Sequence, residues 1–195
     1  MNLTHIYLLE TLDYNSLTGH LKWRERPSSH FKPGRASSEA ICKTWNKRFA
    51  NKIVGSLAKA SGYLETSIDS KKYLVHRLAY FHYYGYLPEN DIDHKDRIRT
   101  HNWIDNLREV SRQCNMRNAG MSSNNISGVK GVCVHKTTKK YQVYVTVNYE
   151  RINLGLFENF DEAVLARWKG EVKYNFPNCN TSSSSYNYLK KKGLF

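Results

Sequence analysis

The chain has no long apolar run, and its N-terminus, MNLTHIYLLETLDYNS, has no basic segment leading into one. A membrane-spanning helix needs about 20 apolar residues in succession, and a secretory leader needs a charged part followed by an apolar part. The expected location is therefore cytoplasmic, with no membrane partner. Cysteine is scarce too: Cys42, Cys114, Cys133 and Cys179 stand far apart with no C-x-x-C pair. That spacing argues against structural zinc and against a disulfide framework, so free intracellular thiols are expected. Acidic residues are in deficit, with 17 Asp and Glu against 30 Lys and Arg, a formal charge of +13 that favours polyanionic partners. What the chain does have is apolar and aromatic material: 40% hydrophobic, 13% aromatic and 14 tyrosines along 195 residues, enough for two small cores and too much for a disordered chain.

Along the chain, Ile6, Leu8, Leu9 and Leu12 recur at helical spacing over His5 to Leu12. Turn residues from Asn15 to Gly19 then precede the strand-like His20 to Trp23, a helix followed by a hairpin. Residues Arg24 to Lys52, punctuated by Pro27, Pro33 and Gly34, read as an irregular loop in which Arg24, Arg26, Lys43, Lys47 and Arg48 are candidates for phosphate contact. Two strands, Tyr63 to Ile68 and Lys72 to Val75, flank a turn, and a helix over His76 to Tyr84 ends at Gly85 and Pro88. His76 and His82 read as packing or capping residues there. The stretch AGMSSNNIS, Ala119 to Ser127, is small and polar like an interdomain linker. After Phe176, a serine run and LKKKGLF predict a flexible basic tail.

The segment DIDHKDRIRTHNWIDNLREVSRQCNMRN, from Asp91 to Asn118, gathers acidic, imidazole and amide groups within two short strands and a helix. Hydrolysing a phosphodiester needs a base for water, a cation near the departing oxygen and a group that holds the base. A neutral histidine suits the first role, carboxylate and amide oxygens suit a hard cation, and a second amide suits the third. With D-H at Asp93-His94, N-L at Asn106 twelve residues after His94 and a helical Asn115 nine further on, the segment resembles the HNH endonuclease motif in its His-Asn-Asn form. The resemblance implies His94 as general base, Asn106 orienting and polarising it through an imidazole contact, and Asp93 with Asn115 holding one divalent metal. That ion would be Mg²⁺, with Mn²⁺ able to substitute. Asn118 is the fallback helical ligand, Asp96 reads as a turn residue, and His101 and Asn102 fall in a loop with a DNA contact or no role.

In Gln142 to Val147, valines alternate with polar side chains, and Arg151 to Gly155 repeats the alternation, so each strand has one buried and one open face. A helix from Phe160 to Tyr174 carries the small residues Ala163, Ala166 and Gly170, which permit close seating on a sheet. The open face then displays Lys130, Gln142, Tyr144, Thr146, Arg151 and Asn153, groups suited to phosphates and base edges. With SGVKGV, KYQVYV, INLGLF and DEAVLARW, about fifty residues resemble the AP2 DNA-binding domain, which implies a three-stranded sheet reading double-stranded DNA. Lys130 is the main counterpart of the arginines common on that family's first strand.

The expected fold class is α+β: a ββα-metal (HNH) nuclease motif with an N-terminal extension, then a small three-stranded sheet plus helix. The expected divisions are an extension over 1–60 with DNA contacts, a nuclease domain over 61–120, a linker over 121–127, the AP2-like domain over 128–176 and the tail over 177–195. Paired in this order, the two resemblances imply a homing-type endonuclease, often phage-encoded, that leaves 5′-phosphate and 3′-hydroxyl ends as a monomer or a transient dimer on DNA. Competing readings are a catalytically inactive sequence-specific DNA-binding regulator and an HNH nuclease of restriction or DNA packaging. An RNA-binding protein is disfavoured, because no aromatic-rich RNP-like strand is present.

Overall fold

The computed structural model describes residues 3–177, 179 and 183–194, and divides the chain into two compact units, the first ending at Glu109 and the second beginning at Val110.

The first unit opens on helix α1, His5–Thr11, whose N-cap Thr4 accepts from the Tyr7 amide. Strands β1, Leu12–Tyr14, and β2, Leu21–Trp23, follow as an antiparallel hairpin. Residues 24–52 are not the irregular loop that their prolines and polarity predict, since Ser38–Phe49 forms helix α2 with Ser37 as its side-chain cap. Its half-buried Ile41, Trp45 and Phe49 recur every four residues, and this stripe outweighs the polar composition around it. Strands β3, Ser56–Leu57, β4, Leu64–Ile68, and β5, Lys71–Leu74, form an antiparallel sheet in that order. The β4–β5 turn places Asp69 and Ser70 both at positive φ, the conformation of a tight two-residue hairpin turn. Helix α3, Val75–Tyr84, stops at the left-handed Gly85. Strand β6, Asp91–His94, pairs with β7, Leu107–Val110.

Leu8, Leu12, Leu21, Trp23 and Val54 from the expected extension share one core with Val75, Leu78, Phe81, Ile92, Ile104 and Leu107. Each such side chain contributes about 1.5–3 kcal/mol by burial. The first sixty residues are therefore built into the unit that carries the candidate nuclease segment.

The second unit begins with helix α4, Arg112–Asn118, capped by Ser111. Strands β8, Val132–Val134, β9, Tyr141–Val147, and β10, Glu150–Phe157, form an antiparallel sheet with β9 central, and helix α5, Phe160–Lys173, covers one face. A methyl group at Gly170 would meet Leu154 Cδ1 at 2.4 Å, so a larger residue there would have to push that side chain aside. Three expectations are corrected here. The segment over 121–127 is tied to the sheet module: Ser127 Oγ donates to the Val132 carbonyl at 2.7 Å and Asn125 Nδ2 to that of Val129 at 3.0 Å. The tail contains helix α6, Ser184–Lys192, whose Leu189 is fully buried and whose Tyr188 packs on Phe160, although residues 178, 180–182 and 195 lie outside the described residues. Cys114 and Cys179 are joined as a disulfide, with Cα atoms 5.0 Å apart, leaving Cys42 and Cys133 as thiols. Their separation of 65 residues gave no pairing signal, and the fold brings them together.

Candidate active site

Strand β6 ends on Asp93 and His94, buried to 7% and 3% exposure. Asn102, His76 and Tyr63 are among the residues that hold the imidazole. Its Nε2 lies 3.0 Å from Asn102 Oδ1. The His76 ring stands edge-on to it, with centroids 5.1 Å apart at 74°. The Tyr63 ring lies 5.9 Å away and also packs on His76 at 4.8 Å. A carbonyl oxygen facing Nε2 accepts a hydrogen from it, which favours the tautomer with its lone pair on Nδ1. Burial holds the His94 pKa below the ordinary imidazole value, against the opposing effect of the Asn102 bond, so the neutral, basic form persists at physiological pH.

Asn102, expected to touch DNA or to have no role, is 2% exposed and makes the imidazole contact expected of Asn106. Asn106, also buried, instead braces the connecting loop. Its Nδ2 donates to Asp96 Oδ1 at 3.0 Å and to the His101 carbonyl at 2.8 Å, and its Oδ1 accepts from the Asp96 amide at 3.0 Å. Asp96 behaves as the expected turn residue, accepting from the Ile98 amide at 2.8 Å and from His101 Nδ1 at 2.7 Å. Burial raises its pKa, but these hydrogen bonds outweigh burial and the net direction is down.

Asp93 Oδ2 receives two hydrogen bonds from the Arg108 guanidinium, at 3.0 and 2.8 Å. Asn115 lies half-buried on α4, in the second unit. As chemistry, a carboxylate and an amide oxygen fit a hard divalent ion. No group of three or more His, Cys, Asp or Glu that could hold a metal exists among the described residues. An ion at Asp93 would therefore share the carboxylate with Arg108 and complete its shell with water or phosphate oxygens, as Mg²⁺ commonly does.

The candidate DNA-reading residues divide. Val143 and Val145 point into the second core, so Gln142, Tyr144 and Thr146 take the opposite face, where Thr146 pairs with Arg151 and Tyr144 with Asn153. The Arg151 guanidinium lies 4.0 Å from the Tyr144 ring centroid. Tyr144, Thr146 and Arg151 border a cavity of about 250 Å³ together with Gln113, Met116 and Arg117, so this end of the face is recessed. Lys130 differs from the expectation. Its ammonium donates to the carbonyls of Met116 at 2.9 Å and Ala119 at 3.1 Å, where it caps the C-terminal end of α4. In the first unit Arg26, also a candidate for phosphate contact, is 5% exposed, pairs with Asp69 at 2.8 Å and lies over the Phe31 and Trp45 rings.

Residues 73–117 match the family model of the HNH endonucleases. The match spans β5 to α4 and includes Asp93, His94, Asn106 and Asn115, and it supports an HNH nuclease whose substrate is DNA. Searches of curated proteins and of solved structures returned no match. Among the described residues, no helix is long and apolar enough to cross a membrane.

Proposed function

We propose that the chain is a divalent-metal-dependent, homing-type DNA endonuclease that cuts phosphodiester bonds to 5′-phosphate and 3′-hydroxyl ends in the cytoplasm of the cell that makes it. The observation that carries the reading is His94: a buried neutral imidazole, its Nε2 committed to Asn102, placed beside Asp93 within a segment that matches the HNH endonucleases. His94 Nδ1 takes a proton from the attacking water. Asp93, with Asn115 as the second ligand implied by the motif's spacing, would hold Mg²⁺ or Mn²⁺, and the ion would supply charge stabilisation for the phosphate and the departing oxygen. Asn106 acts through the loop it braces. The outer sheet face, with Gln142, Tyr144, Thr146, Arg151 and Asn153, adds affinity for double-stranded DNA and raises the local concentration of the nuclease at its site.

The test is cleavage of supercoiled plasmid by the protein and its His94→Ala variant, with and without Mg²⁺. Relaxed or linear product that requires both metal and His94, with DNA affinity retained in the variant, is the expected result. Binding without cleavage by the unaltered protein, across several DNA substrates, would move the reading to a non-catalytic DNA-binding regulator.

A further inference from the structure

The hairpin β1–β2 carries no motif of its own, yet it presses on the backbone that presents Asn102. Tyr14 Oη donates to the Asn102 carbonyl at 2.7 Å, and the Ile104 amide donates to the Ser16 carbonyl at 3.0 Å. Gly19, at φ +75°, lies so close that a Cβ there would sit 2.3 Å from the Trp103 nitrogen and 2.4 Å from the Asn102 carbonyl carbon. No side chain fits that gap without moving the Asn102–Trp103 peptide. The turn is itself stiff: Asn15 Oδ1 accepts from the Leu17 and Thr18 amides at 3.0 Å each, and the Asn15 carbonyl accepts from Gly19 at 2.8 Å.

A neutral imidazole has two tautomers, and only one places a lone pair on a given nitrogen. Packing by Tyr63 and His76 fixes the plane of the His94 ring but does not choose which nitrogen bears the hydrogen. A carbonyl oxygen 3.0 Å from Nε2 makes that choice. We propose that the N-terminal hairpin is a positioning element of the nuclease site: it fixes Asn102, and Asn102 fixes the orientation and tautomer of His94. The inference rests on the nuclease reading, and it gives the hairpin a role in turnover in place of the DNA contact expected of residues 1–60.

The experiment compares the full-length protein with Asn102→Leu, Asn102→Asp, Gly19→Ala and Tyr14→Phe. It measures kcat and KM for plasmid cleavage with Mg²⁺, and nitrogen NMR shifts of His94 in metal-free protein. Expected are a single Nε2–H tautomer in the unaltered protein, and a tautomer mixture in Asn102→Leu with kcat lower by about 10- to 100-fold and KM unchanged. Asn102→Asp, which keeps an acceptor, should restore most of kcat, and Gly19→Ala should lower kcat at constant KM. A folded Asn102→Leu with unaltered kcat and tautomer, or a loss confined to KM, would overturn the proposal. Should Asn102→Leu fail to fold, Tyr14→Phe carries the test: a several-fold lower kcat supports the proposal, and an unaltered kcat overturns it. If no variant or parent cleaves DNA, the nuclease reading fails separately. The tautomer of the unaltered protein then still decides, and a hydrogen on Nδ1 would overturn the hold ascribed to Asn102.

Discussion

Burying an imidazole costs free energy unless its nitrogens find partners, and the first unit buries two in contact. His76 is 4% exposed and its Nδ1 has no hydrogen-bond partner, a defect worth about 1–3 kcal/mol. Burial, and to a lesser degree the neighbouring His94, push its pKa down from 6.5 to about 3. A depressed folded pKa means that the unfolded chain takes up a proton the folded one refuses, so stability is complete above 6.5 and is lost as pH falls from there toward 3. His76→Phe keeps a ring against His94 and removes the titration. Its melting temperature should equal or exceed that of the unaltered protein at neutral pH and fall less on mild acidification. A variant as acid-sensitive as its parent would place the sensitivity elsewhere. At this scale the motif residues Asp93, His94, Asn106 and Asn115 are legible from spacing, whereas the exchange of roles between Asn102 and Asn106 is not. Both amides lie near the same loop in sequence, and only its path decides which one reaches the imidazole.

The elements that sequence periodicity reveals are those whose stripe is clean: α1, α3, β4–β5, β9, β10 and α5. Helices α2 and α6 were hidden by prolines and by serines, although each begins at a serine that caps it, Ser37 and Ser183. Helix α4 is short, with seven residues, and marginal by itself. Beyond its Ser111 cap it has several partners from later in the chain: Asn148 accepts from Gln113 at 2.9 Å, Cys179 bonds Cys114, Lys130 caps its last carbonyls and Phe176 lies under Arg117. Cys114→Ser, or reduction, should therefore destabilise the second unit by about 2–4 kcal/mol. Denaturant unfolding followed through Trp168, the one tryptophan after Val110, with and without reductant, would measure it. Coincident curves would show that the disulfide contributes nothing to holding α4.

At the scale of the whole molecule, +13 formal charge makes DNA binding a counterion-release process, steep in salt. Arg151 is exposed on the outer sheet face, and Arg151→Ala should reduce the slope of log affinity against log salt by about 1 if it touches a phosphate. Fluorescence titrations at several salt concentrations would give the slope, and an unchanged slope would assign Arg151 to stacking on Tyr144 alone. The division into units also belongs to this scale. A boundary read from small polar residues at 121–127 lies inside the second unit, because Asn125 and Ser127 use their side chains to bond its backbone.

By itself the sequence determined the positive charge, the alternation that gives β9 and β10 two faces, and the Asp-His, Asn, Asn spacing that resembles the HNH motif within the segment that the family model matches. These are properties of neighbours along the chain, set by side-chain period and residue chemistry. Tertiary structure alone decided that Asn102 meets His94, that Gly19 abuts the Asn102 backbone, that Cys114 meets Cys179, that Arg26 is buried beside Asp69 and that Lys130 reaches the carbonyls at the end of α4. Each joins residues whose proximity depends on how elements pack, and no local pattern in the chain encodes that distance.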